Sequence, residues 1–160
     1  MVIILMGVSG SGKTTVGRLL AAELCWDYYD ADDFHPEANV EKMRSGVPLS
    51  DDDRKPWLES LRTLILGCLE RNESAVLACS ALKENYREYL LAHDQVGLVY
   101  LKGDYALIKN RLDRRCDHYM NPGLLGSQFE TLEEPAKALQ VDVASSPAEI
   151  VKAIRSGLGV

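Results

Sequence analysis

The sequence predicts a three-layer α/β/α fold, in which a parallel sheet of about five strands is covered by helices on both faces. Two observations carry this. Short runs of β-branched and other apolar residues, such as Val2-Ile3-Ile4-Leu5-Met6, Ala75–Cys79 and Val96–Leu101, suit strands buried on both faces. Between them lie segments whose apolar residues recur at helical spacing, so strand and helix alternate along the 160-residue chain. That length suits one compact domain over 1–160.

The first strand ends in a glycine, and beyond Lys13 the residues Val16, Leu19, Leu20 and Leu24 predict a helix. Trp26 to Tyr29 then reads as a second short strand ending at Asp30, which completes a β-α-β unit. Ser50 is an N-cap for a long helix: Asp51, Asp52 and Asp53 suit the positive end of its dipole, and Leu58, Leu61, Leu64, Ile65, Cys68 and Leu69 form its apolar stripe. A helix through Tyr86, Tyr89 and Leu90 separates the third and fourth strands. Asp104 caps a helix running to about Arg115. The turn signal Asn121-Pro122-Gly123 follows and predicts a small flexible lid over approximately 115–127. Leu139 to Ala144 is the last strand, and Ser146-Pro147 opens a final helix carrying Ile150, Val151 and Ile154.

Composition excludes several functions. A net charge of −6 argues against a nucleic-acid partner, which requires concentrated Lys and Arg. No apolar run approaches a bilayer-spanning length, and the N-terminus lacks the basic region of a signal peptide, so no membrane association and a cytoplasmic location are expected. Cys25, Cys68, Cys79 and Cys116 are scattered without metal-ligand spacing and read as reduced, mostly buried thiols.

Chemistry enters at Gly7-Val8-Ser9-Gly10-Ser11-Gly12-Lys13-Thr14. The glycines let the backbone curl and aim successive N–H groups at phosphate oxygens. Lys13 reaches the β- and γ-phosphates, Thr14 offers its hydroxyl to Mg²⁺ with Thr15 beside it, and the following helix points its positive end at the anion. The motif sits between a predicted strand and a predicted helix, the context of a P-loop NTPase-type fold that binds a nucleoside triphosphate. A switch or motor uses the same loop. However, no Asn-Lys-x-Asp signature occurs, and the third strand ends in Cys79-Ser80, where many such ATPases place a metal-binding Asp.

The second strand delivers Asp30 and Asp32 beside this loop, since ligands bind at strand carboxyl ends in open α/β sheets. On a continued strand the two would share a face, Asp30 toward the metal and Asp32 toward an acceptor hydroxyl as its base. Lys83 and Arg87, one helical turn apart, are candidates to grip an acceptor's carboxylate, with Arg54 a further cation. His35 and His118 are candidate hydrogen-bond donors to a polyol. Arg111 and Arg115 lie four apart on the helix before the lid and share a side with Leu107 and Ile108. Arg111 is assigned to the nucleotide and Arg115 to the transferring phosphoryl group.

Together these residues resemble the gluconate kinases (gluconokinases) of the P-loop kinase group. Beyond the phosphate loop, the markers are Asp30-Ala31-Asp32 with His35-Pro36, Asn39 with Lys42-Met43, and Gly46-Val47-Pro48-Leu49 running into Asp53-Arg54 and Pro56-Trp57-Leu58. Cys79-Ser80-Ala81-Leu82-Lys83 with Tyr86-Arg87, Arg115 with His118-Tyr119, and Ser127 to Glu133 complete the set. The resemblance implies ATP-dependent phosphorylation of D-gluconate at its terminal hydroxyl to give 6-phosphogluconate, and a homodimer. Asp117 departs from the glycine usual before the His-Phe/Tyr pair. The alternatives are a related kinase of shikimate or a nucleoside monophosphate, although the Gly-Gly-Gly loop expected for shikimate after the third strand is absent, and a nucleotide-dependent switch.

Overall fold

The computed structural model describes residues 1–114 and 122–160. Five strands, β1 (Val2–Met6), β2 (Asp27–Asp30), β3 (Ala75–Ala78), β4 (Val96–Lys102) and β5 (Leu139–Asp142), pair in parallel in the order β2-β3-β1-β4-β5. The chain crosses from β1 to β2 on one side and returns from β3 to β4 on the other. A crevice therefore opens at the carboxyl ends of β1 and β3, the ligand position of such sheets.

Around the sheet lie α1 (Lys13–Leu24), α2 (Glu37–Arg44), α3 (Asp51–Glu70), α4 (Glu84–Leu90), α5 (Tyr105–Asp113), α6 (Pro122–Thr131) and α7 (Pro147–Leu158). The two-residue period of β1 divides its side chains between two cores. Ile3 and Leu5 pack with Val16 and Leu20 of α1 and with Ile150, Val151 and Ile154 of α7. Val2, Ile4 and Met6 face Trp57, Leu58, Leu61 and Ile65 of α3 and Leu90 of α4. Each such buried side chain contributes about 1.5–3 kcal/mol relative to exposure, which explains why the central strand is apolar throughout.

Helix starts follow the expected chemistry. Ser50 and Asp53 form a reciprocal capping box on α3, and Ser146 and Glu149 form another on α7, where Pro147 takes the first turn. The Asp104 carboxylate accepts the Leu107 N–H at 2.7 Å to cap α5. The final strand stops at Asp142, before the predicted Ala144.

Two helices differ from expectation. α2 has no apolar stripe, because Glu37, Glu41, Lys42 and Arg44 dominate it, and it was not legible as a helix. α6 begins at Pro122, where a turn was predicted, so the second half of the 115–127 lid segment is helical. Proline suits the first helical turn, and Leu125, Phe129 and Leu132 then recur at helical spacing against Val8, Leu82 and Ile108. Arg115, Cys116, Asp117 and His118 lie outside the described residues. Cys68 and Cys79 are buried, but Cys25 is exposed at the end of α1 with φ 54°. Among the described residues no helix is long and apolar enough to cross a membrane.

Candidate active site

The loop from Gly7 to Thr14 joins β1 to α1 at the crevice. Gly12 caps α1 with φ 97°, a left-handed conformation that glycine adopts without strain. Gly10 has φ 82°, and a Cβ there would lie 2.8 Å from the Leu112 side chain of α5. The Lys13 ammonium donates to the Gly7 and Val8 carbonyls at 2.9 and 3.0 Å, so it spans the loop from within. Burial lowers the Lys13 pKa, while the Asp32 and Asp30 carboxylates act to keep it charged. Burial also pushes the neighbouring Cys79 thiol up to about 12, which leaves it protonated and unsuited to nucleophilic work.

Ser9, Gly10, Gly12, Lys13, Thr14 and Thr15 share one cleft with Asp30, Asp32 and Ser80. The two carboxylates reach it differently from the expectation of a continued strand. β2 stops at Asp30, whose Oδ1 accepts the Asp32 N–H at 3.1 Å and starts a 3-10 turn over Ala31–Phe34. The side chain of Asp30 thus sets the position of Asp32. Asp32 is exposed at the cleft, but partial desolvation by the surrounding groups raises its pKa and Asp30 raises it further, while His35 and Lys13 pull it back. A carboxylate so placed holds a proton more readily than a free one.

His35 follows the 3-10 turn and stacks on Trp57 at 4.6 Å with a 9° interplanar angle. The Trp57 indole N–H donates to the Ala31 carbonyl at 2.7 Å, and buried Asn39 donates to the Asp53 carbonyl at 2.8 Å, 3.4 Å from His35 Nδ1. The 30–35 segment is therefore fastened to α3. Burial lowers the His35 pKa, the negative charge of Asp32 raises it and the positive charge of Arg54 lowers it.

Arg54 donates to the Leu49 carbonyl at 2.6 Å and lies 6.0 Å from the centre of the Tyr86 ring. Lys83 does stand among these groups: its Nζ contacts both oxygens of Asp51, at 2.8 and 3.1 Å, and Tyr86 donates its hydroxyl to the same carboxylate. Arg87 does not join it as a gripping pair. It is buried, and its Nη1 donates to the Ala81 and Leu82 carbonyls at 3.0 and 2.9 Å. Ala81 has φ 42°, so Arg87 clamps a strained loop in place of reaching into the cleft. Arg111 also departs from expectation. Ile108 turns inward against Gly10 and Gly103, whereas the Arg111 guanidinium donates to the Val143 carbonyl beyond β5.

A family model described as shikimate kinase matches residues 9–153. A probable gluconokinase of Mus musculus is 45% identical over 178 residues, covering 98% of this chain and 97% of its own. The chain belongs to the gluconokinase family. The thermosensitive gluconokinase of Escherichia coli is 42% identical, covering 97% of this chain and 86% of that protein. A gluconokinase structure from Sinorhizobium meliloti superposes with a TM-score of 0.87 at 40% identity, covering 98% of this chain and 90% of that one. As a gluconokinase-family member the chain is a nucleotide-binding kinase that transfers a phosphoryl group to a hydroxyl.

Several residues that support this gluconokinase-family cleft received no role from the sequence, although Asn39, Trp57 and Gln128 stand among its family markers. Tyr28 donates to Asp30 Oδ2 at 3.3 Å, a contact legible in the two-residue period of β2. Trp57 braces the 30–35 turn from α3, and Asn39, four residues past His35, ties it to Asp53. Gln128 on α6 bonds Ser9 in the phosphate loop, 119 residues away, with no local pattern to announce it.

Proposed function

We propose that this chain is a gluconokinase, transferring the γ-phosphoryl group of ATP to the terminal hydroxyl of D-gluconate to give 6-phosphogluconate. One observation carries the reading: Lys13 and the phosphate loop share a cleft with Asp30 and Asp32. We assign the acceptor end to His35, which follows the Asp32 turn, and to Arg54 and Lys83, which both approach Tyr86. The donor end suits a triphosphate. The cationic end suits the carboxylate of a sugar acid.

In this reading Asp32 orients the acceptor hydroxyl and takes its proton as the oxygen bonds phosphorus and the bond to the leaving ADP oxygen breaks. Because the transition state is loose, positioning contributes more than base strength. Lys13 neutralises charge on the β- and γ-phosphates. His35 and Arg54 hydrogen-bond the polyol, and Lys83 meets the carboxylate. The exposed Thr14 hydroxyl and the Asp30 carboxylate are hard oxygen donors, few in number, which suits a Mg²⁺ ion that keeps waters and phosphate oxygens as its other ligands. Such an ion would neutralise phosphate charge when bound. The whole chain acts as one kinase domain whose lid, about 115–127, supplies Arg115 and His118. A cytoplasmic homodimer belongs to the same proposal.

Incubation with Mg-ATP and a panel of gluconate, shikimate, AMP and a neutral polyol tests it. ADP release and a phosphorylated product with gluconate are expected. Turnover of shikimate or AMP with none of gluconate overturns the assignment.

A further inference from the structure

We propose that Gln128 is a positioning residue for phosphoryl transfer, holding Ser9 so that its hydroxyl proton is available to a phosphate oxygen in the cleft. The inference rests on the ATP-dependent kinase reading above. Its basis is the polarity of one pair of hydrogen bonds. The Ser9 backbone N–H lies 2.7 Å from one end of the Gln128 carboxamide, and Ser9 Oγ lies 2.9 Å from the other. A backbone N–H can only donate, so the carboxamide oxygen must face it. The amide nitrogen therefore faces Ser9 Oγ and donates to it. That contact uses a lone pair of the hydroxyl and leaves its one proton for a different acceptor.

Ser9 lines the cleft together with Gly10, Gly12, Lys13 and Thr14, where the phosphate oxygens of the nucleotide would lie. Ser11, the other serine of the loop, is buried, and its Oγ has no partner among the described residues. Of the two, only Ser9 is both oriented and beside the cleft. Gln128 itself is on a fixed support. Leu125 of α6 is buried against Val8, Leu82 and Ile108, and Phe129 meets Tyr105 edge-on at 5.4 Å. Just past the helix, the Glu133 N–H donates to the Leu82 carbonyl at 2.9 Å. α6 thus holds the phosphate loop through Gln128 and the loop before Lys83 through Glu133, and fixes the spacing of the donor and acceptor sides.

The test compares Ser9→Ala, Gln128→Ala, Gln128→Glu and the Ser9→Ala/Gln128→Ala double variant, with melting temperatures to verify folding. Ser9→Ala and Gln128→Ala are each expected to lower kcat at saturating Mg-ATP by about tenfold or more, as loss of one transition-state donor does, with KM for the acceptor within about twofold. Because both remove the same donor, the double variant should be no slower than the slower single one. Gln128→Glu keeps an oxygen for the Ser9 N–H but draws the hydroxyl proton onto the carboxylate, and should group with Gln128→Ala. Wild-type kcat in Ser9→Ala or in Gln128→Glu, or single effects that multiply, overturns the proposal. If Gln128→Ala does not fold, Ser9→Ala and Gln128→Glu decide it. The comparison is made with whichever acceptor the wild type uses, so absence of gluconate turnover counts against the acceptor assignment alone.

Discussion

Lys83 and Asp51 form an ion pair across 32 residues of sequence, with Nζ 2.8 Å from Oδ1, and Tyr86 shares the same carboxylate. The pair joins the loop after β3 to the start of α3. Asp51 therefore holds the cation assigned to the acceptor, in the manner that a sugar-acid carboxylate would. Asp51→Asn frees Lys83 and should lower the KM for gluconate by about two- to fivefold, the range of an exposed ion pair. Lys83→Met should raise it at least tenfold, by loss of a charged partner to a carboxylate. Initial-rate kinetics at fixed Mg-ATP read both, and an increase in KM for Asp51→Asn would show that Asp51 assists the acceptor site.

Asp32 sets the expected pH behaviour. Its pKa is raised above the ordinary 3.8 by partial desolvation and by Asp30, so its acid limb in kcat/KM should lie above the usual carboxylate range. Asp32→Asn should remove that limb and reduce kcat by about a hundredfold or more. Stability should move oppositely. A carboxyl with a raised folded-state pKa disfavours folding once ionised, so the penalty is fully present above the folded pKa and disappears as pH falls through it toward 3.8. The Asn variant should melt higher than wild type at pH 7, with the difference shrinking on acidification. Melting curves from pH 7 to pH 4 would show it.

Gly17 makes room for Tyr28. A Cβ at Gly17 would lie 2.7 Å from the Tyr28 ring and 3.3 Å from Leu5. Ala normally gains about 1 kcal/mol over Gly inside a helix, but overpacking costs about 1–3 kcal/mol. Gly17→Ala should therefore destabilise and should displace the Tyr28 hydroxyl from Asp30. Tyr28→Phe removes only the hydroxyl. It should leave melting nearly unchanged while raising the Mg²⁺ concentration needed for half-maximal rate, which a Mg²⁺ titration measures.

Arg87 and Lys83 make a contrasting pair of variants. Arg87→Met leaves the Ala81 and Leu82 carbonyls without their donor, at about 1–3 kcal/mol for each buried group left unpaired. A clear fall in melting temperature is expected, whereas Lys83→Met, on a partly exposed side chain, should alter acceptor KM with little change in melting. Equal melting of the two variants would contradict the loop-clamp role of Arg87.

What could be read from the sequence was local. Strand runs, helical stripes and the caps at Ser50, Asp104 and Ser146 depend on neighbours a few residues apart, and so does the curl of Gly7 to Thr14. The phosphate loop and its place between strand and helix were legible for that reason. So was the arrival of Asp30 and Asp32 beside it, although the turn that seats Asp32 was not, because it depends on a carboxylate capturing a backbone N–H. α2 had no periodicity to betray it, and Pro122 serves a turn and a helix start equally well.

Only the tertiary structure decided what each of the other cations meets. Lys83 and Arg87 look equivalent at helical spacing, yet one meets Asp51 and the other closes over a strained Ala81, because burial requires a guanidinium to satisfy nearby carbonyls. Arg111 turned to Val143 for a similar reason, while Ile108 took the apolar contact. The Ser9–Gln128 bond has no local cause at all. It exists because the third apolar cluster seats α6 against the phosphate loop, and long-range packing of that kind leaves no period in a sequence.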